Sequence, residues 1–350
     1  MTSTQKKRTG RILWGIAAAA VALCCAAGLL NGEKVCVTKT TIAMGSVVQQ
    51  TIYTDTESDA QLIASTAAER IRDLEDRISC KEEKASSSEI YALNTKRLAT
   101  LSPDTIRLLT LGTDLQSATN GAYNIFVEPL THLWDFDAET FHVPAQDTVS
   151  FACSQIPIAS LTFEGDQAML IGAGIDLGSL GKGAACDAAV ELYREMDCTA
   201  AVVSVGGSIG LHGQKKWGSP WTIGVRDPNG TATDQLGTLK LKACFISTSG
   251  TYEKTRESGG VTYHHLLDPT TGYPAETDLI SATIICDNGA LSDGLATACV
   301  LLGEKDAPAL ATAYDAEYIL VTTDRRIIVS NGLREKFTLS ADGYTLETGA

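Results

Sequence analysis

Ala201-Val202-Val203-Ser204-Val205-Gly206-Gly207-Ser208-Ile209-Gly210 is the stretch on which the architecture turns. Its first five residues form a Val-rich run of strand character, and Gly206 to Gly210 fits G-x-S-x-G. In an α/β hydrolase that motif is a strained strand-to-helix turn. Ser208 would then be the nucleophile, His265 the base, and an Asp between them in the chain would complete a triad. The reading requires a helix directly after the serine. Leu211-His212-Gly213-Gln214-Lys215-Lys216-Trp217-Gly218 is instead polar and punctuated by glycine, so it reads as a loop. That argues against a doubly wound parallel sheet and against a Ser208 nucleophile.

Downstream, short β-rich runs alternate with turn chemistry: Trp221–Val225, Leu239–Ile246, Val261–Leu267, Leu279–Ile285, and the pair Tyr318–Thr322 and Arg326–Ser330 around Thr323-Asp324-Arg325. Upstream, Met44-Gly45-Ser46 interrupts a β-branched run from Thr40 to Tyr53, a strand or hairpin. Leu62, Ile63, Ala67, Ile71, Leu74 and Ile78 recur at helical spacing within Ser58–Ile78. Ser102-Pro103-Asp104 opens a second helix that Asn120-Gly121 stops. Further helices are predicted over Gly183–Met196, Leu291–Leu302 and Asp306–Tyr314. With no repeat, residues 34–350 read as one α+β unit with a largely antiparallel sheet and packed helices.

The chain has 350 residues, 44% of them apolar, with 28 Lys+Arg against 42 Asp+Glu and a net charge of −14. That composition supports a large core and excludes disorder. Residues 1–31 hold Lys6, Lys7, Arg8 and Arg11 and no acid, so the other 24 basic residues face all 42 acids and the body carries −18. So acidic a body repels phosphate backbones and excludes a nucleic-acid partner. Ile12 to Leu30 is uncharged and apolar, and as a helix would extend ~28 Å, the span of a bilayer core. Residues 1–31 therefore read as a signal peptide or N-terminal membrane anchor. Ala26-Ala27-Gly28 offers small residues for cleavage, and Leu23 before Cys24 matches a lipoprotein site poorly. The ten cysteines include no C-x-x-C, and no His pair has zinc spacing, so a zinc site is not expected. Cys186, Cys244, Cys286 and Cys299 lie in apolar runs and read as small buried hydrophobes.

Three clusters carry chemistry. Asp176-Leu177-Gly178-Ser179-Leu180-Gly181-Lys182-Gly183 runs into a helix, where free N–H groups and the Lys182 charge could cradle a phosphate or pyrophosphate. It is not a Walker A loop, because Ala184 stands where Ser/Thr would hold magnesium. Asp293 and Thr297, four apart on a helix, share one face and offer hard oxygen donors suited to Mg²⁺; a capping Asp and a Thr bonded to its i−4 carbonyl are the alternative. In Tyr263-His264-His265-Leu266-Leu267-Asp268-Pro269, alternation puts the two histidines on opposite faces, so at most one faces a given site.

Together, in this order, these segments resemble the FAD:protein FMN transferase family, also called the ApbE family. The likeness covers roughly residues 40–303. It includes Met44-Gly45-Ser46, Ser88-Glu89-Ile90 with Leu93-Asn94, and Gly121-Ala122-Tyr123-Asn124 through Leu130 with Leu133-Trp134. It continues through Asp176-Leu177-Gly178 to Lys182-Gly183, Val205-Gly206-Gly207, Ser247-Thr248-Ser249-Gly250, His265 to Pro269 with Thr271-Gly272, and Asp293 to Thr297. The resemblance implies a T-fold-like, exported or membrane-tethered, magnesium-dependent enzyme. It would move FMN from FAD onto a Thr or Ser hydroxyl of another protein, releasing AMP.

By the same resemblance, Met44, Ala122, Tyr123, Asn124, Gly178, Ala184 and Leu267 contact the flavin nucleotide. The Gly181 carbonyl, Asp293 and Thr297 hold magnesium, and His265, Lys182 and Asp293 are the catalytic set, with His265 near the pyrophosphate. The implied acceptor is an FMN-binding domain of an exported or membrane flavoprotein. Several positions depart from the family pattern: Asn124 stands for the usual Asp, Ser208 for the usual Asp after Gly206-Gly207, and Cys80 where an aromatic often stacks on the flavin. An FAD pyrophosphatase, with water as acceptor, and a membrane-tethered flavin-binding protein are the alternative readings of the same site.

Overall fold

The computed structural model describes residues 35–214 and 218–349. The leader read over 1–31 and Lys215-Lys216-Trp217 lie outside them. In chain order the described elements begin with β1 (Val35–Ala43), β2 (Ser46–Thr54), α1 (Glu57–Ile78), α2 (Glu89–Lys96), β3 (Leu98–Thr100), α3 (Pro103–Ala118), α4 (Glu128–Trp134) and α5 (Gln146–Gln155). Next come β4 (Ser160–Glu164), β5 (Gln167–Ile171), α6 (Gly178–Glu195), β6 (Ala200–Val205), β7 (Ser208–Gly213), β8 (Trp221–Arg226), β9 (Gln235–Leu241) and β10 (Phe245–Gly250). The chain ends with β11 (Thr255–Ser258), β12 (Val261–His264), β13 (Leu279–Cys286), α7 (Gly289–Ala313), β14 (Glu317–Thr322), β15 (Arg326–Val329), β16 (Phe337–Leu339) and β17 (Thr345–Thr348).

Nine strands form one sheet in the order β1-β2-β6-β7-β10-β13-β14-β15-β17. Every neighbouring pair is antiparallel except β15 with β17. The α+β, largely antiparallel reading is therefore correct. Both faces are covered. Ala201, Val203 and Val205 of β6 join the core beneath α1, α6 and α7, while Ala200 and Val202 point into a second core shared with Trp221, Ile223 and Leu239 of the small sheet β16-β9-β8. A strand buried on both sides has no polar face, which explains why Ala201–Val205 lacks alternation. On α1, Ile63, Ala67, Ile71, Leu74 and Ile78 are buried as their spacing predicts, but Leu62 is 57% exposed.

Several boundaries move. The loop expected from Leu211 is strand through Gly213: β6 and β7 form a hairpin pairing Val205 with Ser208 around Gly206-Gly207. No helix follows Ser208, so the nucleophile elbow does not form. The single run read over Leu239–Ile246 splits into β9 and β10, which belong to different sheets. The run Val261–Leu267 ends as strand at His264, and Leu267 makes an isolated bridge to Pro274. The helices read over Leu291–Leu302 and Asp306–Tyr314 meet in α7 across Gly303, whose φ of 77° breaks the helical path.

The largest correction concerns α6, which starts at Gly178 and not at Gly183. Gly181, Lys182 and Gly183 are thus helical, although glycine lowers intrinsic helix propensity. Packing supplies the reason. A Cβ at Gly183 would lie 2.0 Å from the Gly289 carbonyl oxygen and 2.8 Å from Asp293 Cβ. Glycine there is what lets α6 and α7 touch backbone to backbone. Gly183→Ala is expected to lower the unfolding free energy by on the order of 1–3 kcal/mol in urea titrations, as overpacking of a core does. Wild-type stability in that variant would contradict the contact.

Candidate active site

The start of α6 is built from side chains. Asp176 Oδ1 accepts from Gly178 N at 2.7 Å, and its Oδ2 accepts from Thr131 Oγ1 at 2.7 Å. The N-terminal amides read at Gly183 are therefore at Gly178 and Ser179, and the Gly183 N–H has another partner. One turn into the helix, Lys182 turns toward Asp293, with Nζ 4.0 Å from Oδ1. Its aliphatic stem passes Gly206, where a Cβ would lie 3.2 Å from Lys182 Cδ and 2.7 Å from Ser46 Oγ. Gly206 also has φ +55°, so this turn requires glycine on two counts. The Asp293 carboxylate holds the Lys182 ammonium above its ordinary range, against the opposing effect of burial.

Asp293 is 1% exposed. Its Oδ2 accepts from Gly183 N at 2.9 Å and its Oδ1 from Ser208 Oγ at 3.2 Å. Burial pushes this carboxyl upward; the Lys182 charge, the Gly183 N–H and the Ser208 hydroxyl pull the other way. The capping alternative fails, since Asn288 is the N-cap of α7, its Oδ1 accepting from Leu291 N at 2.8 Å. Thr297, one turn beyond Asp293, meets Ser249 Oγ at 3.1 Å through its hydroxyl and so is not spent on its own helix. Asp293, Thr297 and Lys182 are brought together as the sequence suggests. Ser208, buried at 1%, serves Asp293 as a donor and has no His partner, which removes the hydrolase triad.

The residues expected at the nucleotide divide. Met44 occupies the first position of the two-residue turn between β1 and β2 at φ +54°, an uncommon conformation for a side chain of this size. Its Sδ lies 3.9 Å from where a Cβ on Gly181 would be, with Ile78 Cδ1 at 3.4 Å. Tyr123 is buried, its hydroxyl 2.8 Å from Ser179 Oγ at the α6 start. Half-buried Asn124 turns its Oδ1 back to accept from Phe126 N at 2.9 Å, beside half-buried Ala122. Gly178 is exposed at the same helix start. Cys80, half-buried, has its thiol pushed up to about 12 by burial, with Asp176 and Glu128 adding to the effect. It therefore sits by the mouth of α6, as an inert neutral thiol.

Two expected contacts fall elsewhere. Ala184 lines a cavity of about 150 Å³ between α1, α3 and α6, beside Arg77, Leu108 and Asp187. The helical turn carries it to a different face from Lys182. Leu267 is buried and bridges to Pro274, supporting the Thr271-Gly272 turn.

His264 and His265 do face different partners. His264 Nε2 donates to Ala275 O at 3.2 Å, and His265 Nδ1 donates to Glu253 O at 3.2 Å, which leaves His265 Nε2 as an acceptor. Burial first, then the charges of Lys182 and Lys254, push His265 down to about 3. The ring is neutral at physiological pH and a weak base, which counts against His265 as the general base. Glu253 went unnoticed in the sequence. Its carboxyl is pushed upward by burial and pulled back by Lys182 and Arg226, so it shares the field of the site. Because only unfolded chains protonate His265 between about pH 6.5 and 3, its folded environment contributes stability that is lost as pH falls through that window. His265→Gln is expected to flatten the decline of urea midpoints from pH 7 to 4, with His212 and His264, shifted the same way, retaining part of it. An unchanged slope would contradict the assignment.

Residues 44–320 match the ApbE family model. The FAD:protein FMN transferase of Klebsiella pneumoniae (strain 342) is 28% identical over 308 residues, covering 87% of this chain and 94% of that protein. The FAD:protein FMN transferase of Treponema pallidum (strain Nichols) is 29% identical over 248 residues, covering 65% and 68%. Among solved structures, the ApbE protein of Thermotoga maritima superposes with a TM-score of 0.74 at 27% identity, covering 87% of this chain and 97% of that one. The flavin transferase ApbE of Vibrio cholerae gives 0.73 at 24% identity over 88% and 97%, a likeness of fold. A family model spanning most of the chain, and motifs that converge on one cluster, lead to one conclusion: the chain belongs to the ApbE family.

Proposed function

We propose that the chain transfers FMN from FAD to a Thr or Ser hydroxyl of an acceptor protein, with magnesium, releasing AMP. The supporting observation is the buried Asp293 carboxylate, held by Gly183 N–H and Ser208 beside Lys182, with Thr297 one turn away. In the reaction the acceptor hydroxyl oxygen bonds to the FMN-side phosphorus. The bond from that phosphorus to the bridging oxygen breaks, the bridging oxygen leaves with AMP, and the hydroxyl proton is released. Such a step depends chiefly on positioning and charge.

The donor set suits magnesium. Asp293 and Thr297 offer a carboxylate and a hydroxyl, Gly181 a backbone carbonyl, and among the described residues no group of three His, Cys, Asp or Glu side chains forms a richer metal cage. A hard cation that keeps water and phosphate in its shell matches so sparse a set. The ion, when bound, supplies charge neutralisation to the phosphate oxygens. Lys182 adds a fixed ammonium at the same place, and the Ser179 amide faces anions from the α6 start, the Gly178 N–H being held by Asp176. Met44, Ala122, Tyr123, Asn124 and Gly178 are assigned to the flavin nucleotide, with Cys80 where an aromatic often stacks on the flavin. His265 Nε2 acts as a neutral hydrogen-bond acceptor.

The basic start and apolar run read over 1–31 support a position at the outer face of the cytoplasmic membrane or, after cleavage, in the exported space. The acceptor is accordingly an FMN-binding domain of an exported or membrane flavoprotein. Asp293→Ala is expected to cut FMN transfer by at least about 10²–10³-fold, the scale of losing one preorganised electrostatic contact. Intact mass of an acceptor domain incubated with FAD and Mg²⁺ reads the result, and undiminished adduct would remove the assignment. EDTA is expected to suppress the same mass gain in the wild-type protein, with excess Mg²⁺ restoring it. Equal release of free FMN without acceptor would make water the acceptor instead.

A further inference from the structure

Behind Asp293 lies a line of buried hydroxyls that the transfer reaction does not itself require. Ser208 Oγ donates to Asp293 Oδ1 at 3.2 Å, Ser247 Oγ donates to Ser208 Oγ at 3.0 Å, and Ser247 and Ser292 hydroxyls meet at 2.7 Å. Ser292 Oγ also lies 2.8 Å from Gly289 O, an alternative acceptor for its one hydrogen. The three serines come from β7, β10 and α7, and each is at most 1% exposed. Ser208 and Ser247 are direct cross-strand partners, so the sheet register fixes their contact. We propose that Ser208, Ser247 and Ser292 are positioning residues, a hydroxyl relay that holds the Asp293 carboxylate open toward the cation.

The proton count supports a directed relay. Each hydroxyl has one hydrogen. Ser247 commits its hydrogen to Ser208, which frees the Ser208 hydrogen for Asp293. Ser292 closes the far end by giving its own hydrogen to Ser247, in place of the Gly289 carbonyl that it also reaches. Three buried hydroxyls cost stability unless they are bonded, and apolar residues would fill the same space. Asp293 meanwhile accepts from Ser208 on Oδ1 and from Gly183 N–H on Oδ2, with the Lys182 backbone N–H also directed at the carboxylate, out of about four acceptor sites. The remaining sites stay available. Lys182 Nζ, at 4.0 Å from the same Oδ1 that Ser208 holds, stands just beyond hydrogen-bond reach. Without Ser208 the carboxylate is free to turn and take Lys182 as its donor, occupying the oxygen that a cation needs.

This inference rests on the reading of Asp293 as a magnesium ligand, and the test separates the two. Full-length protein in detergent is titrated with Mg²⁺ alone, without FAD, by isothermal calorimetry, and unfolding temperatures are recorded without Mg²⁺. Ser208→Ala is expected to weaken Mg²⁺ binding ~10–100-fold, the usual range for residues that orient a metal ligand. Ser247→Ala is expected to weaken it less, in the same direction. Wild-type Mg²⁺ affinity in Ser208→Ala overturns the relay while a loss in Asp293→Ala leaves the metal site standing. Wild-type affinity in Asp293→Ala overturns both. If Ser208→Ala shows no cooperative unfolding, Ser247→Ala and Ser292→Ala decide, and wild-type affinity in both overturns the relay.

Discussion

The contact between Gly183 of α6 and Gly289 of α7 is the constraint from which the site follows. With no side chain on either residue, the two helices approach until the Gly183 N–H lies 2.9 Å from Asp293 Oδ2. An amide inside a helix thus becomes a partner for a buried carboxylate on its neighbour. Removing an ion of this kind from water is costly unless charge and hydrogen bonds compensate. Here Gly183, Ser208 and Lys182 compensate together, and the Gly183 contact depends on the close approach of the two helices. Asp187 reinforces the junction from the side, accepting from Gly289 N and Ala290 N at 2.7 and 2.8 Å.

The sheet completes what the helices begin. The β6–β7 hairpin delivers Gly206 under the stem of Lys182 and Ser208 under Asp293, and β10 delivers Ser247 and Ser249 on one face at a spacing of two. Ser249 reaches Thr297 while Ser247 reaches Ser208, so one strand braces both side-chain oxygen donors of α7. The opposite face of the same strands packs on the small sheet β16-β9-β8. A support buried on both sides has little freedom to shift, which is what a positioned carboxylate needs.

How far this was legible can be judged residue by residue. Asp293 and Thr297 were readable because helical spacing alone places them on one face. The antiparallel sheet was readable because turn residues separated short β-rich runs. The α6 start was misplaced because Gly181 and Gly183 resemble turn glycines locally, and only the tertiary contact with Gly289 shows why a helix tolerates them. Leu239–Ile246 looked continuous because Lys242, Ala243 and Cys244 carry no turn signal, yet the chain changes sheets there. Ser247 and Ser249 had been visible as part of a motif, but nothing local showed that two alternating serines were buried. Buried hydroxyls in a strand are a signal only once the strand is known to have no solvent face. Glu253 is a harder case, since a Glu in a polar segment next to Lys254 is ordinarily solvated, and its closeness to Lys182 depends on long-range folding.

Charge then explains why so acidic a domain needs help to hold a pyrophosphate. The body carries −18, and at the site the Lys182 ammonium is already engaged by Asp293, while Glu253 feels Lys182 as well as Arg226. With Lys182 shared by Asp293 and Glu253, and Lys254 paired with Asp137, little positive charge is left for a dianionic linkage. The α6 start contributes a partial charge only, and Asp176 already takes its Gly178 N–H. A divalent cation facing Asp293 is the one addition that changes the sign of the field at the phosphates without a further basic residue. In the proposed reaction the fold's acidity and its dependence on magnesium are therefore one property: Asp293 binds the metal that its own charge makes necessary.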